Sequence, residues 1–142
     1  MIPSLLFFVA QIALMASSQA QTGQAIAVRP PLTFGSPMPI PDIEQWPRGA
    51  APDFKDQSKT FLISFWSSAI TPARESLTQL SKFADEYRDQ GLIIVGVTEE
   101  PAGGILPLLD SPKYKEGIRF AIGCDPDRST YRQFMSESWQ NT

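Results

Sequence analysis

An α/β fold built round a parallel βαβ unit is what this sequence predicts, on three observations. The run Thr60-Phe61-Leu62-Ile63-Ser64-Phe65-Trp66 is almost continuously apolar and β-prone; Leu77, Leu80, Phe83, Ala84 and Tyr87 follow at helical spacing; Leu92-Ile93-Ile94-Val95-Gly96-Val97 is a second continuous apolar run. Runs of this kind mark strands buried on both faces, and a long helix between two of them imposes a parallel crossover. The chain has 142 residues, enough for one core, since single domains usually hold about 100 to 150.

Before Arg29 there is no charged side chain, Leu5 to Ala16 is almost purely apolar, and Ser18-Gln19-Ala20 forms a small-x-small triplet. Residues 1–20 therefore read as a secretory signal peptide, with cleavage leaving a chain that starts at Gln21. An uncleaved membrane anchor or a buried N-terminal helix is the other reading, because the n-region lacks Lys and Arg; the apolar run is shorter than the roughly 20 residues of a membrane span. The expected location is periplasmic or secreted, with no stable membrane span after cleavage.

Residues 21–56 form a proline-rich segment, with Pro30, Pro31, Pro37, Pro39, Pro41, Pro47 and Pro52, so neither a helix nor a central strand is expected there. Phe34, Ile40, Ile43 and Trp46 should dock this extended chain on the core. Residues 57–142 carry the α/β domain. The first strand, 60–66, is expected at the centre of the sheet. Thr71 is expected to cap the helix that follows, with Pro72 at its first position, Glu75 in its first turn and Gly91 as its left-handed stop. The stretch Pro101 to Pro112 suggests a short broken helix, Ile118 to Ile122 a third strand, Asp125-Pro126-Asp127 a turn, and Ser129 to Met135 a short helix capped by Ser129.

Composition excludes several function classes. Twelve basic and 15 acidic residues give a net charge of −3 with no basic run, which argues against nucleic acid and against an anionic membrane surface. Histidine is absent, which removes the Ser-His and Cys-His nucleophile pairs and the usual zinc ligand. The single cysteine, Cys124, cannot form an internal disulfide; it is buried, reactive, or paired with another molecule. Asp125 and Asp127 resemble half of a calcium loop without the remaining ligands and read as turn formers; Glu99-Glu100, just after the second strand, could supply a carboxylate to the site edge, and its other and preferred reading is a solvated acidic pair. No cofactor is called for.

The segment Phe65-Trp66-Ser67-Ser68-Ala69-Ile70-Thr71-Pro72-Ala73-Arg74 resembles the active-site segment F-W-A-x-W-C-x-P-C-R of thioredoxin-like redoxins, the periplasmic TlpA-like and AhpC/TSA-type thiol-disulfide oxidoreductases. Gly35-Ser36-Pro37-Met38-Pro39 is similar to that superfamily's entry, and Leu80, Tyr87, Gly91, Leu92 to Thr98 and Phe120 to Asp127 to its continuation; the likeness runs from about Leu32 to the end. The resemblance implies a thioredoxin-like fold and places Ile70 where the attacking cysteine stands and Ala73 where the resolving cysteine stands. Thiol exchange needs a thiolate, activated in this superfamily at a helix N-terminus, and neither side chain supplies one. Pro72 and Arg74 keep their places. The superfamily continues past the Gln140-Asn141 region into a cis-proline segment, a hairpin and a helix, so the resemblance also implies a domain truncated at Thr142, either a short product or a fragment.

Three functions follow as expectations. The first is an exported, redox-inactive binding or structural module that keeps a partner-facing surface at Trp66, Thr71, Pro72 and Arg74, with another exported protein as partner; taken alone, Trp66 reads first as a core residue at a strand end. The second is an oxidoreductase or antioxidant working through Cys124 alone, whose other reading is a small buried hydrophobe. The third is a non-functional fragment of a longer redoxin.

Overall fold

The computed structural model describes residues 32–135. The signal segment 1–20 and the region around Gln140 lie outside them. Strands β1 (Gln45–Arg48), β2 (Thr60–Phe65), β3 (Leu92–Thr98) and β4 (Ala121–Cys124) form one sheet in the order β1-β4-β3-β2. The last three are mutually parallel and β1 is antiparallel to β4. Helices α1 (Thr71–Glu86), α2 (Ala102–Leu109), α3 (Pro112–Gly117) and α4 (Ser129–Phe134) connect and cover them. A sheet whose parallel strands β2 and β3 are joined by the proline-containing helix α1 is the mixed α/β arrangement expected from the sequence.

β3 and β4 are the interior strands of the described sheet and β2 lies at its edge, which corrects the expectation of a central β2. Ile94, Val95 and Val97 are buried, whereas β2 pairs with β3 on one side only among the described residues and leaves Leu62 37% exposed. The apolar residues of β2 that are covered share one face, where Phe61 meets the Phe54 ring at 5.3 Å and Phe65 meets Tyr131 and Phe134 edge to face at 5.5 and 5.8 Å. Face burial says nothing about how many hydrogen-bonded neighbours a strand has.

The core lies between the sheet and the helices α1 to α3, where Leu77, Ile105, Leu109 and Ile122 are fully buried. Each such side chain contributes about 1.5–3 kcal/mol relative to exposure. Gly96 interrupts the apolar run of β3 for a packing reason. A Cβ there would come within 2.7 Å of Ile122 Cδ1 and 3.2 Å of the Trp66 indole nitrogen, so the missing side chain is what lets Trp66 lie across the strand.

Several boundaries differ from the expectation. α1 ends at Glu86, and a 3₁₀ turn over Arg88–Gln90 leads to Gly91, whose φ of 86° is the left-handed stop. The third strand is shifted to Ala121–Cys124, and the broken helix is two helices, with Pro107 inside α2 and Pro112 starting α3. The proline-rich segment contributes β1 at the sheet's edge, where Pro47 is tolerated and the pairing register shifts between Gln45 and Arg48. Ile43 and Trp46 are half-buried as expected, but Phe34 and Ile40 are exposed and do not dock. Arg48 fixes β1 instead, by donating to the carbonyls of Leu109 (2.7 Å), Lys115 (2.9 Å) and Ile118 (3.3 Å). Its positive charge thus sits at the C-terminal ends of α2 and α3, where the helix dipoles favour a cation.

Candidate functional site

The parallel register brings Phe65 beside Val97, and Thr98 beside Cys124, so the carboxyl ends of β2, β3 and β4 share one edge of the sheet. Parallel α/β sheets bind ligands at that edge. Beside it lies a cleft of about 440 Å³ whose apolar wall is Phe65, Trp66, Ile70, Ala73, Val97 and Tyr131. Its polar side is Ser67, Thr98, Glu99 and Glu100.

Ile70 is the N-cap of α1, in extended backbone (φ −100°, ψ 105°), and 55% exposed. Ala73 is half-buried, one helical turn further on, against the core. The helix start expected from Thr71 differs in detail: the cap makes no side-chain hydrogen bond, and no acidic residue falls in the first turn. Thr71 Oγ1 instead accepts from Arg74 at 3.1 Å. Pro72 at the start carries the entry, because its fixed φ suits the first turn and its missing N–H costs nothing there. Glu75 pairs across to Lys113 and Tyr114 on α3.

The four residues expected to face a partner separate into two groups. Thr71 and Pro72 are exposed at the start of α1. Arg74 turns back and donates to the Ser68 carbonyl at 2.8 Å, which ties down the loop before the helix. Trp66 is 6% exposed and belongs to the core cluster; only its rim reaches the cleft, and its indole N–H has no partner among the described residues.

Glu100 is where the expectation of a solvated acidic pair fails. Its Oε1 accepts from the Ser68 amide (2.6 Å), the Ser67 hydroxyl (3.0 Å) and the Thr98 hydroxyl (3.4 Å), and its Oε2 accepts from the Ser68 hydroxyl. Burial opposes the charge, but the Ser68 hydroxyl and amide and the Ser67 and Thr98 hydroxyls outweigh it and hold the carboxyl below its ordinary value. A carboxylate so stabilised is a poor general base for the serines it binds, so the cluster locks a loop and does not arm a nucleophile. Glu99 is exposed and lies 3.1 Å from Arg128.

A depressed carboxyl contributes stability above its unfolded pKa and loses it as pH falls through the folded value. Wild type should therefore lose thermal stability between the unfolded value of 4.5 and the lower folded one. The Glu100→Gln variant should be less stable at neutral pH and should approach wild type in acid. Melting curves from about pH 6 to about pH 3 check this. A constant gap between the two proteins across that range would remove Glu100 from the account.

Cys124 ends β4, 2% exposed, on the same sheet edge but outside the cleft lining. Burial, with the nearby Glu100 charge, pushes its thiol up from the ordinary value, the opposite of what a reactive cysteine needs. Asp125 is more than a turn former. It is 1% exposed, and it takes over the capping expected of Ser129, because Arg128 in the left-handed region (φ 61°) is the N-cap of α4 and makes no side-chain cap. Asp125 accepts from the Thr130 amide (3.1 Å), the Tyr131 amide (2.7 Å) and the Ser129 hydroxyl (3.1 Å). Asp127 stays exposed and accepts from the Ser129 amide at 3.2 Å. No cluster of three or more His, Cys, Asp or Glu among the described residues is placed to hold a metal ion.

No protein-family model matches the sequence, and no curated protein matches it. Among solved structures the chain is similar to a Chlorobium tepidum protein carrying the name thiol:disulfide interchange protein DsbE, at 23% identity and a TM-score of 0.47. The overlap covers 53% of this chain and 51% of that one, so the chain spans about half the length of that structure. None of the described helices is long and apolar enough to cross a membrane.

Sequence reasoning singled out Ile70, Ala73, Trp66 and Cys124, and the fold brings the first three to one cleft. It weighed Glu100 as a carboxylate at the site edge but preferred a solvated pair, and it gave no site role to Asp125, Phe65 or Tyr131. The signal for Glu100 was the pair Ser67-Ser68 directly after a strand; two adjacent hydroxyls at a strand end ask for an acceptor, and the acceptor lies on the next strand's exit.

Proposed function

We propose that the protein is an exported, thioredoxin-like binding module that presents its motif face to another exported protein without exchanging disulfides. One observation carries this reading: Ile70, at the position that the resemblance assigns to the attacking cysteine, is exposed at the N-cap of α1 and on the lip of the apolar cleft. The site keeps the shape that presents a group to a partner, while the group presented is a hydrocarbon that can bury surface but cannot donate electrons. The hydrogen bonds from Ser67, Ser68 and Arg74 support the same reading, since they hold the loop rigid and lower the entropic cost of docking. Cys124 adds to it, because a buried thiol pushed up in pKa is a weak substitute for the missing pair. Export rests on the signal-like residues 1–20.

Insulin-disulfide reduction tests the proposal. With dithiothreitol present, the purified protein should bring on turbidity no sooner than buffer does, while a dithiol oxidoreductase run alongside accelerates it. Acceleration by this protein, abolished by Cys124→Ser, would replace the proposal with the single-cysteine mechanism.

A further inference from the structure

The charge of the cleft, taken with the binding reading on which this inference rests, names the kind of ligand. Glu99 and Glu100 both line the cleft, and only one of them is neutralised. Arg128 answers Glu99 at 3.1 Å, whereas no Lys or Arg among the described residues forms an ion pair with Glu100. All four donors to Glu100 are neutral hydroxyls or an amide, so they satisfy oxygen lone pairs and leave the negative charge in place. Three of those bonds fall on Oε1 and one on Oε2, and a carboxylate oxygen has room for about two acceptor contacts, so Oε2 retains capacity. The same cleft is lined by the aromatic residues Phe65 and Tyr131 and by the rim of Trp66, and aromatic rings attract cations. Tyr131 already carries one, the Arg128 guanidinium, 4.6 Å from its ring centre. The remaining wall, Ile70 and Ala73, is aliphatic.

We infer that the cleft receives a peptide segment of a partner protein presenting a Lys or Arg side chain beside an apolar one, the apolar group against Ile70 and Ala73 and the cation toward Glu100. An anionic segment would meet a carboxylate with no counter-charge, and a purely apolar one would take that carboxylate out of water without supplying one. Complementarity of this kind sets preference more than total affinity.

Blocked tripeptides provide the probe: Leu-Lys-Leu, Leu-norleucine-Leu and Leu-Glu-Leu, titrated at low ionic strength into the ¹⁵N-labelled protein while the Trp66 indole and the Ile70 and Tyr131 amides are followed. The Lys peptide should bind about three- to tenfold more tightly than the norleucine peptide, the worth of one partly exposed ion pair with a cation–π contribution, and the Glu peptide more weakly than either. Half-molar salt should shrink the Lys advantage, and Glu100→Gln should abolish the difference between the Lys and norleucine peptides whatever it does to the affinity of both. If Glu100→Gln fails to fold, the salt series on wild type carries the test. Equal binding of the Lys and norleucine peptides would overturn the cationic preference and leave the apolar binding reading standing. If no peptide shifts the cleft residues, the binding reading falls together with the inference.

Discussion

Asp125→Ala is expected to lower the stability of the fold by about 2–4 kcal/mol, more than any other exposed or polar substitution considered. The side chain is buried and accepts three hydrogen bonds, two from the amides that open α4 and one from Ser129. The first amides of a helix have no partner within it, and a carboxylate there satisfies them and complements the dipole. Losing an ordinary cap costs about 0.5–2 kcal/mol, and hydrogen bonds to charged groups are worth about 1.5–3 kcal/mol each without being additive, which brackets the estimate. The damage should spread, because α4 also carries Thr130, whose hydroxyl accepts from the Asp42 amide at 2.9 Å and donates to its carbonyl at 3.1 Å. It carries Tyr131 as well, the wall of the cleft against Phe65. Urea unfolding measures the effect as a midpoint lowered by roughly 1–3 M, given slopes of about 1–3 kcal/mol/M for small proteins. Asp125→Asn, which retains one acceptor, should lose about half as much; a loss below about 0.5 kcal/mol for Asp125→Ala would mean that the cap does not hold α4.

Ile70→Cys should convert the protein from thiol-silent to thiol-reactive. The position is exposed at the N-cap of α1, where free amides and the helix dipole stabilise a thiolate. Free cysteine, with a pKa near 8.5, is only about 3% thiolate at pH 7; a helix-terminal thiol with a pKa near 7 is about half ionised, so alkylation at pH 7 should exceed that of a free thiol roughly tenfold. The parent protein supplies the baseline, since its Cys124 is buried and pushed the other way. Rates of iodoacetamide modification across pH give the pKa directly. An Ile70→Cys thiol titrating at or above the free value would show that α1 does not activate its own N-cap, and would weaken the argument that the native isoleucine marks lost chemistry. The double variant Ile70→Cys/Ala73→Cys should in addition close an internal disulfide on mild oxidation, seen as loss of both titratable thiols.

The parts of the fold legible in the sequence are those written in local periodicity. Two nearly continuous apolar runs either side of an amphipathic stretch specify a βαβ unit, because such runs suit strands packed between layers, although Leu62 of β2 stays partly exposed. Pro72 and Gly91 mark where the turnings occur, since each constrains or frees its own φ. Reading failed where one residue had two suitors in space. Ser129 is an excellent cap by type, yet the buried Asp125 reaches the same amides with a full charge. Glu100 looks like half of an exposed pair, and its four donors include residues 32 and 33 positions earlier, a separation that no spacing rule spans.

By itself the sequence determined the α/β class, a helix whose first turn is marked by Pro72, and the absence of thiols at positions 70 and 73; these depend on side-chain type and on torsions set within a few residues. Only the tertiary structure decided that β3 and β4 take the interior of the sheet with β2 and β1 at its edges, and that Glu100 locks the motif loop beside an apolar cleft. Those outcomes depend on which backbone edge and which buried charge find partners far along the chain, and such pairings exist only once the chain has folded.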